Sequence, residues 1–330
     1  MKSHRRTFVV QAAVLLMSAL TLPLASAAQP TSYPDKPVRF YIPYPPGAAT
    51  DNLGRMAANV YAQDLGQSFV VENKGGGGTI IGTRALATSE PDGYSIGMVD
   101  TTFVINPGLR GADLPYDTLK DFAPISLMAT APFVLVVHPS VDATDLKAFV
   151  ALAKSAPGTL SYGSAGIGSG PHLAGEQLRQ EAGIDIQHVP YRGGGSVFTD
   201  LLGGQVQFAF GTVPTLLPHI QAGKLRALAV TSPNRVSTLQ DVPTFAEAGL
   251  PGVDISPLFG VIAPAGVAPD TVEKLSTTLA TSVKSGELNG KLVALGFDPV
   301  GSTPAEFQKR IADEVSKWRE VIKRGGITAQ

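Results

Sequence analysis

Residues 160–176 read LSYGSAGIGSGPHLAGE: a short β-rich run, a loop of Gly, Ser and Ala, then Pro171 and His172 opening a helix. Strand, glycine-rich loop and helix is how phosphate cradles and nucleophile elbows are built. Neither pattern is complete here. A dinucleotide fingerprint needs G-x-G-x-x-G, and Gly166-Ile167-Gly168-Ser169-Gly170-Pro171 fails at the sixth position. No G-x-x-x-x-G-K-[ST] phosphate loop occurs in the chain. Gly93-Tyr94-Ser95-Ile96-Gly97 matches G-x-S-x-G, but an elbow serine must follow a strand and open a helix, whereas Ser95 lies inside an expected strand. A secreted serine hydrolase would have to use Ser164 or Ser169 with His172 as base. His172 and Glu176 share a helix face and could seat a metal, yet no third ligand accompanies them, and His138, His188 and His219 are scattered. No metal or cofactor is expected. The chain has no Cys, which removes thiol nucleophiles, thiolate metal sites and disulfides.

A different chemistry is carried by four loops of one kind: PYPPGAATD (43–51), NKGGGG (73–78), SAGIGSG (164–170) and YRGGG (191–195). Glycine lets backbone amides approach a ligand closely. Each helix start adds unpaired N–H groups and roughly half a positive charge. Several such corners facing one cleft would hold an anion without a buried arginine. Asp51 reads as a carboxylate complementing the first helix's dipole. An amino-acid ligand would need a carboxylate free to meet its ammonium, and Asp51 is occupied by capping in this reading.

The elements that position these loops alternate. Strands are expected at Val38–Ile42, Ser68–Val71 and Tyr94–Val99, with helices at about 51–65 and 79–88 between them. That is β-α-β-α-β, an open parallel sheet. The alternation restarts at Phe133–Val137 and runs to about Thr231, with strands near 160–163, 186–189, 206–210 and 226–230 and helices near 144–155, 171–182, 195–202 and 214–222. A third portion has an extended run at Leu258–Ala263 and helices at about 269–284, 286–295 and 304–324. On the last, Phe307, Ile311, Val315, Trp318 and Ile322 form one stripe, which reads as a packing face. Lys74 before one glycine run and Arg192 before another mark equivalent corners of two related lobes.

The chain of 330 residues is 44% hydrophobic and 16% charged, enough for two domains and too apolar to be disordered. Lys2, Arg5 and Arg6 precede an acid-free apolar run from Phe8 to Leu24 that ends at Ala25-Ser26-Ala27. This is the pattern of a cleavable signal peptide over residues 1–27, with export by the general or the twin-arginine route left open. Its removal takes away three basic and no acidic residues, so the net charge goes from −1 to −4. A mildly acidic chain without a basic run excludes nucleic acid as a partner. The mature protein is expected in the periplasm, as a monomer.

Six segments in this order resemble the extracytoplasmic receptors of tripartite tricarboxylate transporters, the Bug-type solute-binding proteins: YPPGAATDNLGR, VVENKGGGGTIIG, INPGLRGADLPYDTLKDFAPIS, SYGSAGIGSGPHLAGE, VPYRGGGSVFTDLLGGQVQFAF and KLRALAVTSPNR…DVPTFAEAGLPG. The resemblance implies an α/β, two-lobed type II periplasmic binding protein, each lobe a mostly parallel sheet flanked by helices with the ligand cleft between. Residues 28–130 and 256–330 would form lobe 1, and residues 131–255 lobe 2. One carboxylate end of a small ligand would be gripped by the loop from Tyr44 through Pro45, Gly47, Ala48 and Ala49 to Asp51. The other end would meet Ser164, Ala165, Gly166, Ile167, Gly168, Ser169 and His172, with Tyr191, Arg192, Gly193 and Gly194. Thr101, Thr102, Gly211 and Thr212 lie at further strand ends able to face the cleft. Membrane permease subunits would be the partners, and a sensor kinase could use the same liganded form. Aliphatic di- or tricarboxylates are the family's usual ligands; Phe103, Phe259 and Tyr44 could instead flank an aromatic acid. Two departures bear on ligand size: Gly47-Ala48 stands where the family usually has two glycines, and Gly54 replaces the usual Ala before Arg55, which is expected to loosen the helix.

Overall fold

A computed structural model describes residues 33–329, so the signal segment expected over residues 1–27 lies outside the described residues. Val38–Ile42 (β1), Phe69–Asn73 (β2) and Ser95–Asp100 (β3) lie parallel in the order β2-β1-β3. They are joined by Ala49–Leu65 (α1) and Ile80–Ala87 (α2), and β3 runs straight into Thr101–Arg110 (α3). Phe122–Thr130 (β4) ends this first passage. The chain then builds a second sheet from Phe133–Val137 (β5), Ser161–Ser164 (β6), Gln187–Pro190 (β7), Phe208–Thr212 (β8) and Arg226–Val230 (β9). Its helices are Leu146–Ser155 (α4), Gly170–Ala182 (α5), Gly194–Leu202 (α6) and Val213–Gln221 (α7). The chain returns to the first sheet through Leu258–Pro264 (β10) and Asp298–Pro299 (β11), with Pro269–Lys284 (α8), Gly286–Leu295 (α9) and Pro304–Gly325 (α10) on its outside.

The sheet orders are β2-β1-β3-β10-β4-β11 and β7-β6-β8-β5-β9. In each, the strand at the fourth place runs against both its neighbours: β10 is antiparallel to β3 and β4, and β5 to β8 and β9, while the short edge strand β11 is also antiparallel to β4. The first five positions of the two orders correspond, so β2 matches β7, β1 matches β6 and β3 matches β8. The corner Lys74–Gly78 after β2 is therefore the counterpart of Arg192–Gly195 after β7. The chain changes sheets at Ala131-Pro132 and again between Thr231 and Pro257, and these passes lie side by side. Ala131 N–H donates to the Pro257 carbonyl at 3.2 Å, and Thr231 N–H to the Phe133 carbonyl at 2.9 Å.

The elements follow local chemistry. β5 is FVLVV and wholly buried, as a strand covered on both faces requires. α10 starts in a reciprocal capping box between Thr303 and Glu306 and buries Phe307, Ile311, Val315, Trp318 and Ile322, the stripe anticipated as a packing face. Gly54 does not loosen α1: a Cβ there would fall 2.6 Å from Ile42 Cδ1, so the missing side chain lets the helix sit directly on β1. Three of the labelled elements, α3, β4 and the two-residue β11, are additional to those the periodicity predicts. α3 carries Pro107 inside it and begins with two threonines, so it lacks an ordinary helical signature.

Candidate functional site

Five helix starts border one cavity of about 70 Å³ between the sheets: those of α1 and α3 on one side, and of α5, α6 and α7 on the other. That is several times the space one water needs. The walls are mostly apolar, with Phe133, Phe198, Phe259, Pro171 and Pro257 among them, and no Lys, Arg or His lines it.

What distinguishes the five starts is whether a side chain already uses their amides. The N-cap of α1 is Ala48 and that of α6 is Gly193, and neither helix has a side-chain cap. These two ends come from opposite sheets and meet: a Cβ on Gly194 would lie 3.3 Å from Ala48 Cβ. Two helix N-termini, each carrying about half a positive charge, thus face one small space. The start of α7 also lacks a side-chain cap, but Val213 N–H donates to the Pro132 carbonyl and Pro214 has no N–H. The starts of α3 and α5 are occupied. The Asp100 carboxylate accepts from Thr102 N–H at 2.9 Å, and Ser169 Oγ accepts from His172 N–H at 3.4 Å.

Of the expected residues, Tyr44, Ala48, Ala49, Thr101, Ala165, Gly194, Gly211 and Thr212 line the cavity. The Tyr44 hydroxyl pairs with Thr102 Oγ1 at 2.8 Å, and burial and the nearby Asp100 push its ionisation well up, so it stays a neutral phenol. Thr101 Oγ1 accepts from Leu258 N–H at 3.0 Å, tying the α3 start to β10. Pro45, Gly47, Asp51, Thr102, Ser164, Gly166, Ile167, Gly168, Ser169, His172, Tyr191, Arg192 and Gly193 are not among the lining residues. Asp51 is a bracket: its carboxylate accepts from Gly47 N–H, Arg55 Nε and Asn73 Nδ2, while Asn73 Nδ2 also donates to the Tyr44 carbonyl. Those bonds outweigh its desolvation and hold its pKa below the usual carboxylate value. The Tyr191 hydroxyl donates to Asp200 at 2.8 Å, and Arg192 is exposed. Phe103 packs in the core against Tyr116 and Phe122 and does not line the cavity.

The glycine loops do something other than cradle. Gly168, at φ +80°, would drive a Cβ into Leu109 of α3 across the cleft, and a Cβ on Gly78 would fall 2.9 Å from the Ile167 carbonyl. Gly193 sits against Pro45 in the same way, its Cβ position 3.3 Å from Pro45 Cδ. The glycines at 78, 168 and 193 form a seam along which the two halves of the molecule close, against the Ile167 carbonyl and the Leu109 and Pro45 side chains.

The stretch that raised the hydrolase question has its polar atoms turned inward. Ser164 Oγ lies 2.6 Å from His188 Nε2, and the His172 ring stacks on that of His188 at 4.2 Å. His172 Nδ1 accepts from Gly168 N–H at 3.1 Å, so His172 is not a base for Ser164 or Ser169. Both serines are buried and neither lines the cavity. Burial alone lowers His172 to about 4, and burial followed by the neighbouring His172 lowers His188 to about 4. No His, Asp or Glu cluster able to hold a metal exists among the described residues.

Sequence reasoning missed Asp100, Phe133, Phe198, Gly170, Pro171, Thr215 and Pro257 at the cavity. Asp100 is the most consequential. It follows the buried strand SIGMV and precedes two threonines, which is an N-cap signature that could have been read.

Two α/β halves joined by paired crossings, with helix starts from both converging on a cavity between them, define a two-lobed type II periplasmic binding protein. The chain belongs to the family described as the tripartite tricarboxylate transporter family receptor, whose model matches residues 53–327. It is 35% identical over 315 residues to protein BugT of Bordetella pertussis, covering 95% of this chain and 97% of that one. Among solved structures, an R. palustris protein with adipate is 32% identical with a TM-score of 0.87, covering 90% of this chain and 99% of the other. MatC from Rhodopseudomonas palustris with bound malate is 27% identical with a TM-score of 0.84, covering 88% and 100%. This is a family of solute receptors and not of enzymes.

Proposed function

We propose that the chain is a periplasmic receptor that captures a small organic carboxylate between its lobes and delivers it to the membrane permease subunits of a tripartite tricarboxylate-type transporter. We assign residues 28–130 and 256–330 to one lobe and 131–255 to the other, with residues 1–27 as the export signal; sheet membership supports the lobe division. The observation that carries the reading is the pair of uncapped helix starts, α1 and α6, bordering one cavity from opposite lobes. A carboxylate between them accepts amides from both, and closure brings the second set of donors to it. The adipate and malate found with two relatives fit this chemistry. The ligand shifts the open–closed balance by its preference for the closed form.

Titration calorimetry and thermal shift against a panel of aliphatic and aromatic carboxylates test the reading. At least one acid is expected to raise the melting temperature in a concentration-dependent way. A panel in which none does so contradicts it.

A further inference from the structure

We infer that the stacked histidines beneath the β6 corner form an acid-sensitive latch: a proton on His172 frees the loop 164–170 from its own lobe, loosens the seam with the other lobe and releases the ligand. The inference goes beyond carboxylate capture and rests on it at one point, that the lobes close over what they bind.

Two side-chain atoms hold this loop from within its own lobe. Gly168 N–H donates to His172 Nδ1 at 3.1 Å. Gly166 N–H donates to Ser164 Oγ at 3.2 Å, and that oxygen lies 2.6 Å from His188 Nε2. The same loop forms the lobe 2 side of the seam. A Cβ on Gly78 would lie 2.9 Å from the Ile167 carbonyl, and a Cβ on Gly168 would run into Leu109. The residue that meets the other lobe is thus the one anchored on the histidine.

An imidazole that accepts at Nδ1 carries its hydrogen on Nε2, so Nδ1 is the nitrogen left to take a proton. Protonation sets a second N–H against that of Gly168, and the bond and the proton exclude each other. The rings of His172 and His188 are 4.2 Å apart, so charge on one opposes charge on the other. The surroundings add little to offset this. From β6 come Ser164 and Tyr162, whose ring lies 4.9 Å from His188, and β8 adds Phe208 against Tyr162. On α5, Glu176 is paired with Arg179 at 2.9 Å and accepts from the Tyr162 hydroxyl. From the other lobe α3 brings Leu109 and Asn106 to the loop, and its one charged residue, Arg110, does not act on the His172 ring. Burial alone holds His172 at about 4, while His188 also feels His172 and Glu176. The latch is therefore shut at neutral pH and opens as the pH falls toward 4.

Heteronuclear NMR of the mature protein without ligand follows the His172 ring and the Gly168 amide as the pH is lowered. Both are expected to titrate with one midpoint near 4, where the amide loses its protection from exchange. His172→Asn places an amide oxygen where Nδ1 stands and keeps the Gly168 bond without a titrating group. Its Gly168 amide is expected to stay protected. Calorimetry with adipate and with malate compares the same two proteins, with circular dichroism verifying that both are folded, so that the acids' own titration cancels. The ratio of variant to wild-type affinity is expected to rise about twofold or more from neutral pH to pH 4, where half of the wild-type molecules carry the proton. Different midpoints for ring and amide, or an affinity ratio that does not change with pH, overturn the inference. The amide titration needs no ligand, so a failure of carboxylate capture is read apart from a failure of the latch.

Discussion

The corners after β1 and after β6 hold the same place in their two lobes, and they treat their helix amides in opposite ways. After β6 the loop is rich in serine and glycine, and Ser169 bonds to the start of its own helix while Ser164 bonds to His188. After β1 the cap position is Ala48, whose methyl group can bond to nothing, and the α1 amides are left to the cavity. A corner that looks suited to an anion because it is full of hydroxyls is the poorer anion site, because those hydroxyls satisfy the protein first. Small apolar residues at a helix start leave the donors for a ligand.

The sharpest way to break this contrast is to give α1 the cap it lacks. Ala48→Asp places a carboxylate over the α1 amides, in extended backbone already suited to capping (φ −119°, ψ 178°). It is expected to stabilise the helix by about 1 kcal/mol and to weaken carboxylate binding by roughly 100-fold. Calorimetry and a thermal melt read both effects.

The β6 corner carries its own signature in pH. The two stacked histidines beneath it have folded pKa values of about 4, below the ordinary 6.5. Between those values the unfolded chain binds protons that the folded chain refuses, so stability is complete above pH 6.5 and falls as the pH drops toward 4. For His172 the loss is on the order of 3 kcal/mol by pH 4. Asp100, with its pKa raised, works in the opposite sense and softens the slope. Melting temperatures of wild type and His188→Gln across this range should show a shallower decline in the variant.

Closure can be separated from donation at the seam. Gly168→Ala forces a Cβ toward Leu109 from a left-handed backbone. It is expected to cost about 1–2 kcal/mol in stability and to lower ligand affinity about tenfold by disfavouring the closed form. Small-angle scattering with saturating ligand should show a larger radius than wild type. Ser169→Ala is the mildest change. It removes a cap worth about 1 kcal/mol but leaves affinity within about twofold, since the β6 corner gives its amides to the protein.

Much of the fold was legible because its units are local. Strands such as FVLVV and helices such as α10 announce themselves by burial pattern and period, and the basic–glycine pairs at 74 and 192 marked corners that the sheet orders make equivalent. α3 escaped because Pro107 stands inside it and its burial is nearly complete, which leaves no amphipathic period to read. The loops of the site were legible, but the role of each residue within them was not. Whether a serine or aspartate faces a ligand or caps its own helix depends on geometry over a few ångströms. Likewise Gly78, Gly168 and Gly193 are glycines because a second lobe approaches them, which no single stretch of sequence contains. Phe133 and Pro257 reach the cavity from the crossings, where sequence marks only a change of sheet.

A structure of the protein with a bound carboxylate tests the central claim most directly. The account predicts carboxylate oxygens within hydrogen-bond distance of backbone N–H groups at Ala49 or Thr50 of α1 and at Gly194 or Gly195 of α6. A carboxylate held instead by Ser164–Ser169 or by the Arg192 guanidinium would contradict it.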